Sequence, residues 1–360
     1  MLPRTIMSVS LIPVDIPLTD HFVISQGEVR MVRNIFVEIR LQEGTPGYGE
    51  ITPFPELAGA DRENCMRLSK EVAAIITGKE VSGFKKIVHE IREATPGNTA
   101  VRCGFETAII DALCRSLGIS LGTFWGGRET GPFETDITIP ILSFERSMEL
   151  ARHWHSLGFR KFKIKVGVDA HKESRLINTI FNEWPGSRFI IDANQGFTPD
   201  EAIQFATALQ GNEVPVIMFE QPVNKKDIDG MARVRNSISI PVAADESAAS
   251  LPELREIISK RAADIINLKI MKTGLFEAID IAVTAHSMGL KLMIGGMIET
   301  RIAMGCSLAL VSGLGIIEHL DLDTPLLMVK DPVEGGYHYE GPWIFPSMGS
   351  GLDISIQSGL

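Results

Sequence analysis

The chain has too little positive charge for a nucleic-acid-binding protein. Its 360 residues include 35 lysines and arginines against 45 aspartates and glutamates, a net charge of −10 at pH 7, and the pI is about 5.4. Phosphate binding needs a basic face, so this balance argues against DNA or RNA as a partner. A small-molecule substrate is left open, and so is a homo-oligomer.

Long apolar runs are also missing. Pro13, Asp15 and Pro17 interrupt the N-terminal stretch, so no signal peptide is predicted. Elsewhere no run reaches the roughly 18–20 apolar residues that a membrane-spanning helix needs. We therefore expect no membrane partner.

Cysteine is scarce, and the four that occur are scattered along the chain. No two of them form a C-x-x-C pair, which excludes a zinc ribbon or a redox motif. Isolated cysteines are typical of buried thiols in a reducing compartment, so we expect a cytoplasmic protein. The four are Cys65, Cys103, Cys114 and Cys306.

The first third of the chain has a mixed pattern. β-Rich runs occur at residues 8–16 and 34–41, and a polar stretch rich in glycine and proline covers residues 42–59. Helical patterning dominates residues 61–117, and Gly118 is a plausible stop signal. This combination predicts an α+β unit.

After Glu134 the chain alternates β-rich runs with helical segments. Such alternation predicts a parallel sheet with right-handed crossovers. Eight runs favour a closed (β/α) barrel over a doubly wound open sheet, which usually has fewer strands. The runs cover residues 135–139, 161–166, 188–192, 216–220, 240–244, 263–269, 291–294 and 316–321.

These patterns divide the chain into two domains. We predict an α+β capping domain over residues 1–132 and a (β/α)-barrel catalytic domain over residues 133–332. The tail, residues 333–360, is rich in glycine and proline and is expected to pack back on the capping domain. The fold class is α/β, a modified TIM barrel of (β/α)7β type.

Three acids follow three consecutive predicted strands. Asp192, Glu220 and Asp245 end or follow strands three, four and five, so their carboxylates converge at the mouth of a barrel. Bunched carboxylates repel one another unless a divalent cation lies between them, and oxygen ligands favour Mg²⁺, with Mn²⁺ as a substitute. Asn194 and Glu246 are positioned to support these ligands.

Lysines stand at the ends of two strands that face each other. Lys163 and Lys165 point the same way on strand two, because side chains alternate along a strand. Lys269 ends strand six, on the opposite wall of an eight-stranded barrel. A pair of opposed bases predicts removal of the proton next to a carboxylate on one face and its return on the other. We interpret Lys161 as a solvated surface charge.

Two acids follow strand eight, across the barrel from the predicted metal site. Asp321 and Asp323 are separated by one residue and so point to the same side. Together they are suited to a cation, most simply a substrate ammonium group.

These residues resemble the enolase superfamily, and within it the muconate lactonizing enzyme subgroup. The resemblance rests on the K-x-K at Lys163, the three acids, Lys269 in N-L-K-I-M-K-T-G, Gly47-Tyr-Gly-Glu50 and residues 121–127. Asp321-Leu-Asp323 is similar to the pair that holds the ammonium group in dipeptide epimerases. The resemblance implies an L,L-dipeptide inverted at its C-terminal residue, with Met297 and Ile298 near the substrate.

One departure concerns the side chain of the substrate. Epimerases of this kind that act on alanyl-glutamate are expected to carry an arginine in a mobile first loop, whereas residues 18–27 contain none and Gly27 stands near its place. We therefore do not expect a preference for glutamate. A partly apolar pocket is predicted instead, and Asp20 and Glu56 leave a basic side chain open. Its candidate residues are His21, Phe22, Ile24, Phe54 and Leu57.

Two other functions remain open. One is a different reaction on the same scaffold, as in o-succinylbenzoate synthase, muconate cycloisomerase or an N-acylamino acid racemase. The substrates of these enzymes have no free ammonium group for Asp321 and Asp323 to bind. The other is a non-catalytic barrel that binds metal and ligand, for which two opposed lysines have no use.

Overall fold

The N-terminal part contains a three-stranded antiparallel sheet with the order β1-β2-β3. In this computed structural model, residues 4–25, 27–54, 61–127 and 131–357 are described. Strand β1 pairs along most of its length with β2, from Ile6 opposite Leu41 to Ile24 opposite Gly27. The strands are β1 (Ile6–Ile24), β2 (Gly27–Leu41) and β3 (Pro46–Ile51).

Helices cover this sheet, and the central one is buried on nearly all sides. Asn98 caps its N-terminus by accepting a hydrogen bond from the Val101 amide, and Gly118 ends it with a left-handed φ of 69°. Strand β3 packs so closely against it that a Cβ on Gly49 would stand 1.8 Å from the Gly104 carbonyl oxygen. The helices are α1 (Arg62–Ile76), α2 (Phe84–Ala94), α3 (Thr99–Leu117) and α4 (Leu121–Phe124).

In this region one strand was not predicted, and the prediction of a loop at residues 18–27 is wrong in detail. The glycine- and proline-rich stretch contains strand β3, whose glycines permit the close approach to α3. The expected first loop continues β1 to Ile24 and turns into β2 at Gly27, so it forms the end of a hairpin. Alternation of apolar and polar residues was too weak there to indicate strands.

The eight predicted parallel strands are present and form one sheet in sequential order. A bridge between Thr135 and Leu320 joins the last strand to the segment before the first, which closes the barrel as predicted. A short strand, β4 (Phe133–Glu134), precedes the barrel. The barrel strands are β5 (Ile137–Ile139), β6 (Lys161–Lys165), β7 (Arg188–Asp192), β8 (Val216–Glu220), β9 (Val242–Ala244), β10 (Ile265–Leu268), β11 (Lys291–Ile294) and β12 (His319–Leu320).

Helical segments follow the first seven barrel strands, and a 3-10 turn, Thr324–Leu327, follows the eighth. Polar side chains start most of these helices. Thr198, for example, forms a reciprocal capping box with Glu201. The helices are α5 (Phe144–Ser156), α6 (Ala170–Glu183), α7 (Pro199–Gly211), α8 (Ile228–Ser237), α9 (Leu251–Lys260), α10 (Ile270–Thr273), α11 (Leu275–Ser287) and α12 (Arg301–Leu314).

The C-terminal tail contacts both parts of the molecule. One of its strands pairs with β4 in front of the barrel. Further along, Gly351 accepts a hydrogen bond from the amide of Leu121, and the Leu352 amide donates to Asp111 of α3. The strands are β13 (Val333–Gly335), β14 (Tyr337–Glu340), β15 (Trp343–Pro346) and β16 (Ile354–Ile356).

A small apolar layer fills the inside of the barrel. It is formed by inward-facing residues of five adjacent strands and is separate from the large core between the sheet and the helices. The layer supports the polar residues at the carboxyl ends of the strands. Its members are Ile190, Met218, Ala243, Ile265 and Met293.

The structure shows the state of the cysteines and the length and character of the helices. All four cysteines are buried, and none forms a disulfide. Across residues 4–25, 27–54, 61–127 and 131–357, no helix has the length and apolar character that crossing a membrane would require.

Candidate active site

A cavity of about 50 Å³ lies at the carboxyl ends of the barrel strands, under the β1–β2 hairpin. Residues from the capping sheet, from strands β5 and β6 and from the loop after β11 enclose it. Most of the side chains singled out from the sequence line it. The lining includes Phe22, Ile24, Phe54, Thr138, Lys163, Lys165, Asn194, Lys269, Met297, Ile298, Asp321 and Asp323.

The lysines reach this cavity from two opposed walls. Lys163 and Lys165 lie on β6, and Lys269 directly follows β10, four strands away in the sequential order of the sheet. All three side chains are buried. Lysines from opposite sides of the barrel therefore line one cavity.

The three predicted metal ligands lie beneath the cavity and are fully buried. Asp192 and Glu220 are direct partners in the register of β7 and β8. The ammonium group of Lys163 lies 3.0 Å from Asp192 and 2.8 Å from Glu220. Lys165 lies 2.6 Å from Asp192, and lysine charges thus balance the carboxylates.

Asp245, the third acid, is held by two lysines. Its Oδ2 lies 2.7 Å from the ammonium group of Lys269. Its Oδ1 accepts a hydrogen bond of 2.8 Å from Lys272, which also donates to the carbonyl oxygens of Asp245 and Asn267. Lys272 therefore fixes the direction of the Asp245 carboxylate.

These ion pairs control the pKa values of the site. Burial alone would raise the pKa of Asp192, but Lys165 and Lys163 outweigh it and hold the pKa below its usual range. For Asp245, Lys269 and Lys272 likewise overcome the effect of burial. Burial, with the Asp192 charge next, raises the pKa of Glu220 to about 8.

The lysine pKa values respond in the opposite direction. Burial would lower the pKa of Lys269, but the Asp245 carboxylate reverses this and raises the pKa above its usual value. Lys163 is likewise raised, because Asp321, Glu220 and Asp192 surround it. Both lysines are therefore held as ammonium groups while they neutralise the carboxylates.

The donor chemistry of Asp192, Glu220 and Asp245 suits a hard divalent cation. Asp192, Glu220 and Asp245 offer buried carboxylate oxygens whose charge already requires cationic partners. Neighbouring groups hold two of them in place. Asn267 donates to Glu220 at 2.8 Å, and the amide of Asn194 donates to Asp192 at 2.9 Å.

Asn194 and Glu246, predicted to support the ligands, lie in the same network. The side chain of Asn194 accepts a hydrogen bond from Lys165 at 3.1 Å and donates to Glu246 at 3.3 Å. Burial, followed by the charge of Asp245, raises the pKa of Glu246 to about 7. Both residues contact neighbours of the acids.

A second group of acids lies near strands β5 and β12, across the barrel from strands β7 to β9 that carry the predicted metal ligands. Asp321, Asp323 and Asp136 each offer a carboxylate oxygen, and these atoms all lie within 4.8 Å of one another. Asp321 accepts a hydrogen bond of 2.7 Å from Lys163. We call these three residues the acidic trio, and its negative charge suits a cation that enters through the cavity.

Asp136 was not predicted. Its side chain is fully buried, and neither carboxylate oxygen has a hydrogen-bond partner. Burial and the charges of Asp321 and Asp323 raise its pKa well above the usual value. The available signal was its spacing from Thr138, which places both side chains on the inner face of the first strand.

Asp323 is anchored to the first strand. Its Oδ2 accepts a hydrogen bond of 2.6 Å from the Thr138 amide, whereas Oδ1 is buried without a partner. Burial and the Asp321 charge raise the pKa of Asp323 to about 7.

The loop that carries Met297 and Ile298 is tied to the capping sheet. The buried carboxylate of Glu50 accepts hydrogen bonds from the Thr300 amide and hydroxyl, at the start of α12, and from Asn34 at 2.7 Å. Asn34 also donates to the Ile298 carbonyl oxygen at 3.1 Å. Burial raises the pKa of Glu50 to about 7 against these hydrogen bonds.

Only some of the capping-domain residues that were predicted to form a substrate pocket line the cavity. The Phe22 ring lies 5.7 Å from the Lys165 ammonium group, and Ile24 and Phe54 line the cavity. His21 is exposed and pairs with Glu28 at 2.8 Å. Two further candidates, Leu57 and Glu56, lie outside the described residues.

The interpretation of Lys161 is wrong, and Asp20 has a partner that the sequence did not indicate. Lys161 is buried rather than solvated, and its ammonium group lies 3.2 Å from Glu134. Alternation along β6 directs it inward like Lys163, but at the other end of the strand. Asp20 is engaged by Arg146 through two hydrogen bonds of 2.9 Å, so a basic substrate side chain would have to displace that arginine to pair with it.

The fold and the site define a (β/α)-barrel with an N-terminal capping sheet and a mouth lined by acids and lysines. Residues 146–359 match the enolase C-terminal domain-like family. Residues 6–126 match the N-terminal domain of the mandelate racemase/muconate lactonizing enzyme family. The chain belongs to this family, as its motifs indicated.

Similar proteins share nearly the whole chain. An L-Ala-D/L-amino acid epimerase from Populus trichocarpa is 36% identical over 91% of this chain and 79% of its own length. An aromatic dipeptide epimerase from Herpetosiphon aurantiacus is 34% identical, with 94% and 96% covered. The structure of a dipeptide epimerase from Enterococcus faecalis V583, complexed with Mg and L-Leu-L-Tyr, has a TM-score of 0.93 and 28% identity, with 98% and 99% covered.

Proposed function

We propose that this protein is a magnesium-dependent dipeptide epimerase that inverts the carbon next to the C-terminal carboxylate. One observation carries the proposal: a single cavity is lined by lysines from opposite sides of the barrel and by Asp321 and Asp323 of the acidic trio. Lysines on both walls suit proton transfer at both faces of one carbon. The trio suits the ammonium group at the other end of a dipeptide.

The metal would be held by Asp192, Glu220 and Asp245. A divalent cation there supplies positive charge that stabilises the carboxylate as it gains electron density. Two similar structures are dipeptide epimerases complexed with Mg and a dipeptide. Mn²⁺ has the same preference for oxygen ligands and is proposed as a substitute.

Lys165 and Lys269 are proposed to carry the proton. One amine accepts the α-proton from one face, and the opposite ammonium group donates a proton to the other face. Lys269 loses the interaction that raises its pKa once Asp245 is engaged by a cation. Lys163, which contacts both acidic groups, keeps positive charge between them.

Substrate binding follows from the two ends of the cavity. Asp321 and Asp323 are proposed to bind the ammonium group, and Met297 and Ile298 to lie along the peptide. Phe22 and Ile24 give the cap side an apolar character, and residues 18–27 contain no arginine. We therefore propose that glutamate is not the preferred C-terminal residue.

Deuterium uptake tests this function directly. The protein is incubated with Mg²⁺ in D₂O and a library of L,L-dipeptides that varies at the C-terminal residue, and mass spectrometry detects uptake at the α-carbon. We expect a subset of dipeptides to gain one deuteron and yield the L,D-epimer. The N-acetylated forms of the same dipeptides serve as matched controls and are expected to exchange poorly.

The alternatives give different results in the same assay. Exchange of N-acylamino acids without exchange of dipeptides would identify an N-acylamino acid racemase instead. If neither class takes up deuterium, the epimerase proposal is wrong.

A further inference from the structure

A second cavity lies beside the first and is lined by none of the lysines proposed for proton transfer. Its volume is about 440 Å³. Phe22 and Thr138 line both this cavity and the one that holds Lys163, Lys165 and Lys269, which we call the lysine cavity. Leu150 and Trp154 of α5 form one wall, and the 3-10 turn after β12 forms another through Leu326 and Leu327. We call it the α5 cavity.

Two residues that line the α5 cavity donate backbone hydrogen bonds to Asp323, which is part of the proposed ammonium site. The Thr138 amide donates to the Asp323 carboxylate at 2.6 Å, and the Leu326 amide donates to the Asp323 carbonyl oxygen at 2.8 Å. Asp323 lines the lysine cavity, and Phe22 and Thr138 line both cavities, so a group bound at Asp323 is taken to lie close to the α5 cavity. In an amino acid the side chain branches from the carbon that carries the ammonium group, so it begins within reach of the cavity.

We propose that the α5 cavity binds a large apolar side chain on the N-terminal residue of the dipeptide. This inference rests on the proposed function, because it takes the ammonium group to lie at the acidic trio. The lysine cavity measures about 50 Å³ and offers little room for a second side chain. The α5 cavity provides that room.

The lining of the α5 cavity favours apolar over acidic side chains. Phe22, Leu150, Trp154, Leu326 and Leu327 pack against the core but are only partly buried. A ligand that covers the apolar surface they leave open gains binding energy.

The charged residues that line the α5 cavity also disfavour an acidic side chain. The guanidinium of Arg146 is engaged by Asp20 through two hydrogen bonds of 2.9 Å and by Glu149 through a third of 2.9 Å. Two acids thus surround one arginine. An N-terminal glutamate would meet an excess of negative charge there.

A series of dipeptides with one constant C-terminal residue measures this preference. That residue is the one with the fastest deuterium uptake in the library, and the N-terminal residue is Gly, Ala, Leu, Phe or Glu. We expect kcat/KM for the Leu dipeptide to exceed that for the Gly dipeptide by about tenfold or more. The kcat/KM for the Glu dipeptide should not exceed that for the Gly dipeptide.

Filling the cavity provides the second measurement. Leu150→Trp is expected to lower kcat/KM for the Leu dipeptide by about tenfold and to change that for the Gly dipeptide by less than about twofold. Leu157→Trp makes the same exchange at the end of α5, where the side chain is 48% exposed and lines neither cavity. This control should leave both substrates unchanged.

Each outcome separates this inference from the proposed function. If the Gly and Leu dipeptides react equally in the unaltered enzyme, the subsite is wrong while the epimerase function stands. If no dipeptide exchanges, the function itself fails. If Leu150→Trp lowers kcat/KM for both substrates equally, Leu150→Ala decides the question. It enlarges the cavity and must raise kcat/KM for the Phe dipeptide relative to that for the Leu dipeptide.

Discussion

Lys165 and Lys269 stand four strands apart in a sheet of eight and line the same cavity. A carbon bound between them is open to an amine on each face. The proposed epimerisation uses both amines for proton transfer, whereas an elimination on the same scaffold would use one as a base and the other to stabilise charge.

Removal of either lysine is expected to stop inversion. Lys165→Ala and Lys269→Ala should each lower the rate of epimerisation by about 100- to 10,000-fold, because each removes one of two proton-transfer groups. One variant should still exchange the α-proton of a single epimer with solvent, since the opposite amine remains. Chiral chromatography and deuterium uptake from each pure epimer measure the two effects.

The control for both variants is Lys291→Ala. Lys291 begins strand β11 at the other end of the barrel and pairs with Glu318 on the surface. Its loss should leave epimerisation unchanged. Normal inversion by either active-site variant would rule out the two-base mechanism.

The acidic trio predicts that a free ammonium group is needed for good substrates. Asp323→Asn is expected to lower kcat/KM for the preferred dipeptide by about 10- to 100-fold, because a charged partner of the ammonium group is lost. A des-amino analogue of the dipeptide should be turned over equally by both proteins. Asp229→Asn, a change at an exposed ion pair with Lys260, is the control. Equal losses with dipeptide and analogue would contradict the assignment.

The pH dependence of substrate binding follows from the same carboxyl group. Burial and the Asp321 charge raise the pKa of Asp323 to about 7. Below that pH the group takes up a proton and loses its negative charge, so its attraction for ammonium weakens as the pH falls. We expect kcat/KM to decrease as the pH falls through about 7. In Asp323→Asn this acidic limb should be absent, and its persistence would assign it to another group.

The sequence was sufficient to predict the barrel and to place the main candidate residues at its mouth, because both depend on local pattern. Each barrel strand is a short apolar run that ends in polar residues, and parallel strands bring these ends to one edge. Side-chain alternation placed Lys163 and Lys165 on one face. Sequential strand order then put Lys269 on the opposite wall, as the structure shows.

Other contacts depend on tertiary packing that no local pattern encodes. Lys272 reaches Asp245 only because the short helix α10 turns back over the end of β10. Asp136 joins Asp321 only because the barrel closes between its first and last strands. Side-chain alternation predicts that Lys161 points into the barrel. Its burial could not be predicted, because the contact with Glu134 depends on tertiary packing.

The contact between Glu50 and helix α12 is expected to stabilise both the fold and the substrate loop. Glu50→Ala leaves the buried Thr300 amide and the Asn34 side chain without their acceptor, which costs about 2–4 kcal/mol. Urea denaturation should show this loss, and KM should rise because Asn34 no longer holds the Ile298 carbonyl group firmly. Glu43→Ala, at an exposed turn, should do neither. Unchanged unfolding free energy would show that water replaces the carboxylate without loss.

Metal removal tests the role of the three buried acids. A chelator is expected to abolish deuterium uptake, and added Mg²⁺ should restore it. Asp245→Asn removes one charged oxygen ligand, so its affinity for Mn²⁺, measured by electron paramagnetic resonance, should fall on the order of 100-fold. Asp280→Asn, on the exposed side of α11, should bind Mn²⁺ normally. Since lysines already balance these carboxylates, a single variant that bound Mn²⁺ as tightly as the unaltered protein would show that the acids serve the lysines alone.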